Sequence, residues 1–458
     1  MGLKRFLRER KRLITRLIWL VPGLIILSIY NGFQVKSFTG DNLHPPPWQR
    51  CKDPSFFHRL GRLPTLRRCQ QLENNLIIDP VPFQAGNLSL PLQSRRCPAY
   101  YSRVFEDLAP WKEKGIQEHD LETARKHSAF RAIVRDGRLY VELYYRCFQT
   151  RMMFTIVGIM QLLQRFPGQI PDVDIFFNCQ DRPQITKSAF DEAPPPLFGY
   201  CSTKNHFDIP FPDWSFWGWP ENKILPWRSQ LKRITQQAEW KDRDSSVQWR
   251  GDPRTSQIRQ RLIACNSTGD KTLLVHGQNW RDQSDLQNWK LESHCHSRYK
   301  LYAEGYAWSA SYKYIMGCGS TVLAIDSDYY EFFTRDLKAG VHYVPISREG
   351  NLCQSISNAR QWGESHPGEA QAIATRGQRF LVEDLSLDQV YGYMLHLIQE
   401  YGKLQKFKPP VPREAHVVHP GLVKCLAHPR DLETLERTAI EAIATKASGL
   451  CSSSVQTI

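Results

Sequence analysis

The feature that most constrains the fold is an alternation of strand-like and helix-like patterns that begins at Arg138. Short apolar runs typical of buried strands are followed by segments with apolar residues at helical spacing. Such an alternation indicates a parallel α/β sheet covered by helices. Strands are expected at 139–145, 173–177, 247–250, 273–276 and 321–325, and helices at 153–166, 255–265, 309–316 and 390–404.

A passage rich in Pro and Trp, residues 194–227, interrupts the alternation. At 458 residues the chain also exceeds what one hydrophobic core usually serves. We therefore expect an α/β protein with two Rossmann-like domains that face a cleft. Their expected bounds are 96–224 and 225–385, and a crossover helix with a C-terminal tail is expected over 386–458.

The N-terminus combines a basic cluster with an apolar run over 17–30. Extended back to Leu13, the run approaches the length of about 20 residues that a bilayer core requires. A cleaved signal peptide is the alternative, but no Ala-x-Ala-like cleavage site follows the run. The flanking positive charge therefore predicts a type II signal anchor at 13–30, with a cytosolic tail at 1–12 and a stem at 31–95.

Charge and cysteine content restrict the function and the compartment. Part of the net charge of +14 comes from the N-terminal cluster, and the remainder forms no basic stripe with interleaved aromatic residues, which argues against nucleic-acid binding. Twelve cysteines suit an oxidising compartment, and their even number allows all of them to pair. Asn87 and Asn266 begin glycosylation sequons. The C-terminus lacks a Lys-Asp-Glu-Leu-type signal, so the Golgi membrane is expected rather than the ER.

The segment after Cys295 has the pattern of a phosphate site. A turn at Gly305 is followed by Ser309, Ser311 and Lys313 in the first turns of a predicted short helix. Backbone N–H groups and hydroxyls at a helix start suit a phosphate. On local pattern alone, an ordinary loop, helix and strand of an α/β core is the alternative.

Asp181 lies four residues beyond the predicted strand 173–177. Ligands of parallel α/β sheets gather beyond the carboxyl ends of the strands. Asp181 is therefore a candidate general base that accepts the proton of an attacking hydroxyl. A loop aspartate that forms an Asx-turn is the alternative. Asp172 and Asp174 lie at the opposite end of this strand, and no metal site is expected.

Residues 250–259 place arginines at a predicted helix N-terminus, where the helix dipole disfavours positive charge. A diphosphate bound by Arg254 and Arg259 would reverse that penalty. Exposed arginines on a solvated face are the alternative.

The aromatic passage offers flat apolar faces on which sugars or peptides could stack. Hydrophobic packing between domains is the alternative. The candidate acceptor-binding residues are Trp214, Trp217, Trp219 and Trp227.

Together these motifs resemble the Rumi-type protein O-glucosyltransferase family, which includes fungal capsule xylosyltransferases and a plant branch. The resemblance covers about residues 140–405. The sequence Ala-Trp-Ser-Ala-Ser-Tyr-Lys-Tyr at 307–314 is most similar to the plant branch. The motifs that carry it are Asn-Cys-Gln-Asp-Arg-Pro at 178–183, Phe-Pro-Asp-Trp-Ser-Phe-Trp at 211–217, and the segments 250–259, 295–313 and 330–345.

The resemblance implies a GT-B fold and inverting, metal-independent transfer from a UDP-sugar, with Asp181 as the base. Animal members carry arginines where this chain has Glu304 and Ser311, so the diphosphate charge must be met otherwise, by Lys313 or Arg254. A disulfide is predicted between Cys295 and Cys318, which match cysteines of the animal branch. The expected UDP-sugar site comprises Asp252, Arg254, Arg259, Tyr306, Ala307, Trp308, Ser309, Ala310, Ser311 and Lys313.

The sequence thus predicts a membrane-anchored glycosyltransferase of the Golgi. It would move glucose, xylose or a related sugar from a UDP-sugar to a hydroxyl of a protein or polysaccharide acceptor, without a metal or other cofactor. The alternative is a luminal binding or scaffolding protein that keeps the fold without transfer, which the replacements at Ser311 and Glu304 motivate.

Overall fold

The computed structural model describes residues 97–190, 194–279 and 291–444. The predicted tail, anchor and stem, the sequon at Asn87 and the end of the C-terminal tail lie outside these residues. Within them, no helix is both long and apolar enough to cross a bilayer.

The described residues form α-helices and short strands, numbered here in chain order. The helices are α1 Arg103–Leu108, α2 Glu118–His127, α3 Arg151–Arg165, α4 Trp227–Thr235, α5 Gln257–Ala264, α6 Tyr312–Gly317, α7 Leu352–Ser365, α8 Pro367–Glu383, α9 Leu387–Leu404, α10 Pro420–Leu426 and α11 Pro429–Ala444. The strands are β1 Phe130–Arg135, β2 Arg138–Leu143, β3 Val173–Phe177, β4 Phe198–Gly199, β5 Ser202–Thr203, β6 Ile209–Pro210, β7 Asp244–Gly251, β8 Leu273–Gly277, β9 Ser297–Tyr302, β10 Thr321–Ile325, β11 Tyr329–Tyr330, β12 Val344–Ile346 and β13 His416–Val417.

The first sheet is mixed and has the strand order β13-β2-β1-β3-β4-β6. Strand β1 runs antiparallel to both β2 and β3 and lies between them. A tight turn at Asp136 and Gly137, both with positive φ, joins β1 to β2. The sequence predicted that β2, α3 and β3 form a parallel unit with adjacent strands. In the structure, β1, which was not predicted, lies between β2 and β3. β3 itself matches the prediction and is fully buried.

The second sheet is parallel throughout, with the order β12-β10-β9-β7-β8. The strands predicted at 247–250, 273–276 and 321–325 all belong to it. Apolar residues of β7, β9 and β10 pack on one face with residues of α5, α7 and α8, which gives this sheet its own core. The strand order reverses between β7 and β9, and ligands of such sheets bind at that switch point.

Direct contacts connect the two sheets. Strand β5, from the first half of the chain, pairs with β11 from the second half. In the interior, the Lys313 ammonium forms an ion pair with Asp213 at 2.5 Å, and the Tyr314 hydroxyl donates to Ser215 Oγ at 2.7 Å. The long helix α9, predicted at 390–404, returns to the first sheet, where the Tyr401 ring packs on Phe198. The architecture is thus a two-sheet α/β fold consistent with the expected GT-B-like arrangement.

Candidate active site

Asp181 lies in the loop that follows β3, at the edge of an open cavity of about 440 Å³. Asn178 shapes this loop, because its side chain accepts from the Gln180 N–H and donates to the Arg182 carbonyl. A disulfide between Cys147 and Cys179 ties the loop to the segment before α3. We call this space the base cavity; it is lined by Tyr145, Phe148, Arg151, Asp181, Arg182 and Tyr306.

The Asp181 carboxylate is oriented by Arg151, the first residue of α3. Arg151 Nη1 donates to Asp181 Oδ1 at 2.9 Å, while the Asp181 side chain stays 36% exposed. The Arg151 guanidinium lies over the rings of Trp214, at 4.4 Å, and Phe148, at 5.4 Å. No other hydrogen bond reaches this carboxylate from the residues that the structure describes. One oxygen is therefore held while the other remains available to a substrate hydroxyl.

The turn over 306–311 follows β9 and is supported from below by Arg259. This guanidinium donates to the carbonyls of Ala303 and Glu304 and to Ser309 Oγ, at 2.8–3.1 Å. A side chain at Gly305 would place its Cβ 3.4 Å from Arg259 Nη2 and 3.3 Å from the Trp308 carbonyl, so the close approach favours glycine. Burial lowers the pKa of Arg259 to about 10, which leaves it charged at neutral pH.

A second cavity, of about 160 Å³, lies between the switch point of the second sheet and the 306–311 turn. Lys300 is 1% exposed, and its ammonium donates to Gln248 Oε1 at 3.0 Å. Burial lowers the pKa of Lys300 to about 7. No carboxylate lines the described part of this cavity, whereas three cations do, so the cavity is suited to an anion. We call it the cationic cavity; its polar lining includes Arg250, Arg259, Lys300, Ser309 and Ser311.

The 306–311 turn connects the two cavities. Arg182 Nε donates to the Tyr306 carbonyl at 3.0 Å, and the Tyr306 ring lines the base cavity. Ser309 and Ser311, at the other end of the turn, line the cationic cavity and share a hydrogen bond of 2.9 Å. The helix predicted from Ser309 begins only at Tyr312, so both serines precede it. The structure thus brings Asp181 and the predicted donor residues 306–311 together.

Lys313 does not contribute to this site. Its side chain is fully buried, and its ammonium is bonded to Asp213. The expectation that Lys313 meets a diphosphate is therefore corrected, because the charge is already neutralised in the interior. Asp252 and Arg254 also pair with each other, at 2.6 Å, at the rim near Arg259. Arg254 donates further to Asn279.

Three of the four tryptophans proposed for acceptor binding lie in the core. Trp214, Trp217 and Trp227 are each at most 1% exposed, so none presents a face to a substrate. The packing alternative accounts for them, and their selection as acceptor residues is corrected. Trp219 is half-buried, lines the cationic cavity and donates to Gln149 Oε1.

The predicted disulfide between Cys295 and Cys318 is present. It joins the segment just before β9 to the residue that follows α6, and so encloses the 306–311 turn. A further disulfide links Cys265 with Cys353. Cys201 is a buried free thiol, so the complete pairing that the even number of cysteines allows is not realised. Asn266 is exposed in a short turn, and its glycosylation stays a prediction.

Several site residues were missed by the sequence analysis. Arg151 carries a detectable signal, since a cation at the first residue of a helix is the same dipole conflict that singled out Arg254. Lys300 also carries one, as a lysine between Tyr299 and Leu301 in a mostly buried strand. Among the described residues, no group of three His, Cys, Asp or Glu side chains is placed to hold a metal ion.

A carboxylate beside a turn that borders a cationic cavity, on a two-sheet α/β fold, is typical of a nucleotide-sugar glycosyltransferase. The profile of glycosyl transferase family 90 matches residues 92–456, and the chain belongs to this family.

Curated relatives from animals are similar over most of their length. Human protein O-glucosyltransferase 1 is 28% identical over 340 residues, which cover 69% of this chain and 83% of the human protein. The O-glucosyltransferase rumi homolog of Aedes aegypti is 29% identical over 338 residues, covering 69% and 81%. O-glucosyltransferase rumi of Drosophila melanogaster is 27% identical over 334 residues, covering 69% and 79%. The chain is therefore a homologue of O-glucosyltransferases.

Proposed function

We propose that this family 90 enzyme transfers a sugar with inversion from a UDP-sugar to a hydroxyl of a protein or glycan acceptor. The observation that carries the proposal is the hydrogen bond from Arg182 Nε to the Tyr306 carbonyl. It holds the loop of Asp181 against the 306–311 turn, so that an acceptor base and a donor site adjoin. We refer to residues 306–311 below as the donor turn.

The reaction requires one proton transfer and one displacement. The acceptor hydroxyl oxygen forms a bond to the anomeric carbon while the bond from that carbon to the UDP oxygen breaks. The hydroxyl proton passes to the Asp181 carboxylate, and UDP leaves with the electron pair of the broken bond. Arg151 keeps the carboxylate directed into the base cavity, which makes the general-base step efficient.

The diphosphate is assigned to the donor turn and the cationic cavity. Arg259, Lys300 and Arg250 supply positive charge there, and Ser309 and Ser311 supply hydroxyl donors. These cations can stabilise the leaving diphosphate, which is the task of a divalent ion in metal-dependent enzymes. They also replace the arginines that animal members carry at the positions of Ser311 and Glu304.

The acceptor is assigned to the aromatic wall of the base cavity. Phe148 is 62% exposed and Tyr306 51% exposed, although both are large apolar side chains, and both line the cavity with Asp181. Aromatic faces of this kind bind sugar rings or apolar peptide side chains. Glucose or xylose is the proposed donor sugar. The sequence of residues 307–314 supports placing this protein nearest the plant branch of the family.

The cellular setting is part of the same proposal. Three disulfides and the disulfide-bonded Cys97 suit an oxidising compartment of the secretory pathway. We propose a single-pass type II protein of the Golgi membrane, with the domain bounds given above.

The test compares Asp181→Asn with wild type in UDP binding and in transfer. Donors are UDP-glucose, UDP-xylose, UDP-galactose and UDP-arabinose, and slow donor hydrolysis is followed where no acceptor is known. We expect the substitution to lower turnover on the order of 10²–10⁴-fold while UDP binding is retained. Asp136→Asn, at a side chain that is 77% exposed on a distant turn, is the matched control.

Retained turnover in Asp181→Asn would refute the base assignment. UDP binding by wild type without transfer or hydrolysis of any donor would instead favour the scaffolding alternative. Absence of UDP binding in the folded wild-type protein would refute the donor class.

A further inference from the structure

The base cavity carries more positive than negative charge. Three of its described lining residues are arginines, Arg146, Arg151 and Arg182, whereas Asp181 is the only carboxylate among them. Arg151 forms an ion pair with Asp181, so these two charges offset each other. Two cationic side chains therefore remain, and the proton transfer to Asp181 uses neither of them.

Arg146 is the first of these two cations. It is exposed and forms no hydrogen bond or ion pair with any residue that the structure describes. Its neighbours in sequence nevertheless fix its position. Cys147 is disulfide-bonded to Cys179, with their Cα atoms 5.9 Å apart, and the Tyr145 hydroxyl accepts from Gln180 Nε2 at 3.4 Å. The residues on both sides of Arg146 are thus joined to the loop of the candidate base.

Arg182 is the second cation. Its Nε donates to the Tyr306 carbonyl at 3.0 Å, and within the described ranges this is the only hydrogen bond of an otherwise exposed guanidinium. An arginine has five N–H donors, so its terminal amino groups can still bind a ligand. The planar guanidinium matches the geometry of a carboxylate. Charges of one sign around a cavity also raise the local concentration of substrates of the opposite sign.

The rest of the lining favours a glycan over a polypeptide. The exposed rings of Phe148 and Tyr306 offer flat faces to sugar rings. The side-chain amides of Gln180 and Gln184 can form hydrogen bonds with sugar hydroxyls. A peptide that binds by adding a strand to a sheet needs a free strand edge, and none of the described lining residues belongs to a strand. The lining therefore fits a sugar that carries a negative charge.

We propose that the acceptor is an acidic glycan, in which a uronic-acid residue adjoins the sugar that carries the acceptor hydroxyl. The carboxylate of the uronic acid accepts from the Arg146 guanidinium, and Arg182 adds to the positive charge that attracts it. The neighbouring sugar lies on the aromatic wall and directs its hydroxyl at Asp181. The inference rests on the proposed function, because it names the acceptor class of that reaction.

The experiment compares acidic oligosaccharides with neutral counterparts of the same linkage. The probes are oligomers of galacturonic acid, of glucuronic-acid-substituted xylan and of hyaluronan, each paired with its carboxyl-reduced form. Binding to the full-length protein is measured by calorimetry in the presence of UDP. At least one acidic oligomer should bind about ten- to a hundredfold more tightly than its reduced form, because reduction removes a hydrogen bond between charged groups. This preference should shrink as the salt concentration rises.

Variants of Arg146 test which residue reads the charge. Arg146→Gln should lower the preference for the acidic oligomer about tenfold without weakening the binding of the reduced form. Arg146→Lys keeps the charge but not the planar fork, and should retain part of the preference. Arg138→Gln is the matched control, since Arg138 is also exposed but begins β2, whose opposite end leads to the cavity. It should behave as wild type.

A peptide pair separates the two kinds of acceptor: a Ser peptide flanked by Glu residues and its counterpart flanked by Gln. A charge preference confined to the peptides would overturn the glycan assignment. If no pair showed a preference while UDP bound and donor hydrolysis depended on Asp181, the acidic acceptor would be refuted and the proposed function would stand. An equal loss for acidic and reduced forms in Arg146→Gln would overturn the role of Arg146. Failure of the folded wild type to bind UDP would instead refute the proposed function.

Discussion

Arg151 holds the candidate base Asp181 across 2.9 Å, although 30 residues separate the two in sequence. Arg151 is itself sandwiched between the exposed Phe148 ring and the buried Trp214 ring. The carboxylate of the candidate base is therefore positioned by a side chain whose own rotamer is fixed by packing. This relationship explains how a loop residue can serve as a defined general base.

Arg151→Met should lower turnover on the order of a hundredfold, because a misplaced base loses its alignment with the acceptor hydroxyl. UDP affinity should remain at the wild-type level, since Arg151 does not line the cationic cavity. Steady-state kinetics together with UDP calorimetry is the measurement. Arg151→Lys, which keeps a charge near Asp181, should recover part of the rate. An equal loss of UDP binding would show that Arg151 supports the fold as a whole.

Phe148→Ala should raise the acceptor KM by about three- to tenfold, because an aromatic stacking surface is lost at the mouth of the base cavity. Donor hydrolysis in the absence of acceptor should be unaffected. Phe105→Ala is the control, as Phe105 is also exposed but packs on His396 on α9. If both substitutions changed the acceptor KM alike, the acceptor assignment would fail.

Lys300 predicts a pH dependence of UDP binding. Its pKa is lowered by burial from 10.5 to about 7, and a bound diphosphate favours the ammonium form. UDP affinity should therefore fall as pH rises from 7 to 9, and binding at pH 8 should take up a proton. Burial lowers the pKa of the neighbouring His276, so His276 does not titrate in this window. Calorimetry in buffers of different ionisation enthalpy measures the proton uptake.

Lys300→Met is the matching variant. It should bind UDP about ten- to a hundredfold more weakly at pH 7 and lose the proton uptake. Stability supplies an independent check: the folded protein binds fewer protons than the unfolded chain between pH 7 and 10.5, so the free energy of unfolding rises with pH there. That slope should be smaller in the variant. An unchanged proton uptake would assign the titration to another group.

Loss of the disulfide between Cys295 and Cys318 should lower the free energy of unfolding by about 3 kcal/mol, since the bond constrains a 23-residue separation in the unfolded chain. The double variant Cys295→Ser/Cys318→Ser should also bind UDP more weakly, because the bond encloses the donor turn. Denaturant unfolding and UDP calorimetry are the measurements. Removal of the bond between Cys265 and Cys353, outside the turn, should affect stability but leave UDP affinity unchanged.

Features encoded by local sequence were predictable. Strands β3 and β10 are short apolar runs with clear ends, and the position of Asp181 follows from the end of β3. Asp136-Gly137 is a strong hairpin signal, yet strand β1 was not predicted. The reason is that β1 is short and its apolar pattern is interrupted by Arg131. The Arg131 side chain is accommodated by an ion pair with Asp174, a partner on β3.

Features that depend on distant partners were not predictable. Lys313 has the local pattern of a phosphate ligand, and only its pairing with Asp213, 100 residues away, removes it from the site. The three core tryptophans likewise have the composition of a binding surface, and burial alone decides their role. Lys300 shows the opposite case, since it is a charged residue in a buried position whose side chain lines a cavity.

The ion pair of Lys313 with Asp213 has a mechanical consequence. The ion pair connects α6, the helix that follows the donor turn, to the segment before α4. The pairing of β5 with β11 is a second connection between the two halves of the chain. A hinge rotation that separated the two sheets would leave two charges unpaired in the interior, at a cost of about 3–5 kcal/mol. These contacts hold the two sheets together without a substrate, so we expect donor and acceptor to reach the candidate site through the mouths of the cavities.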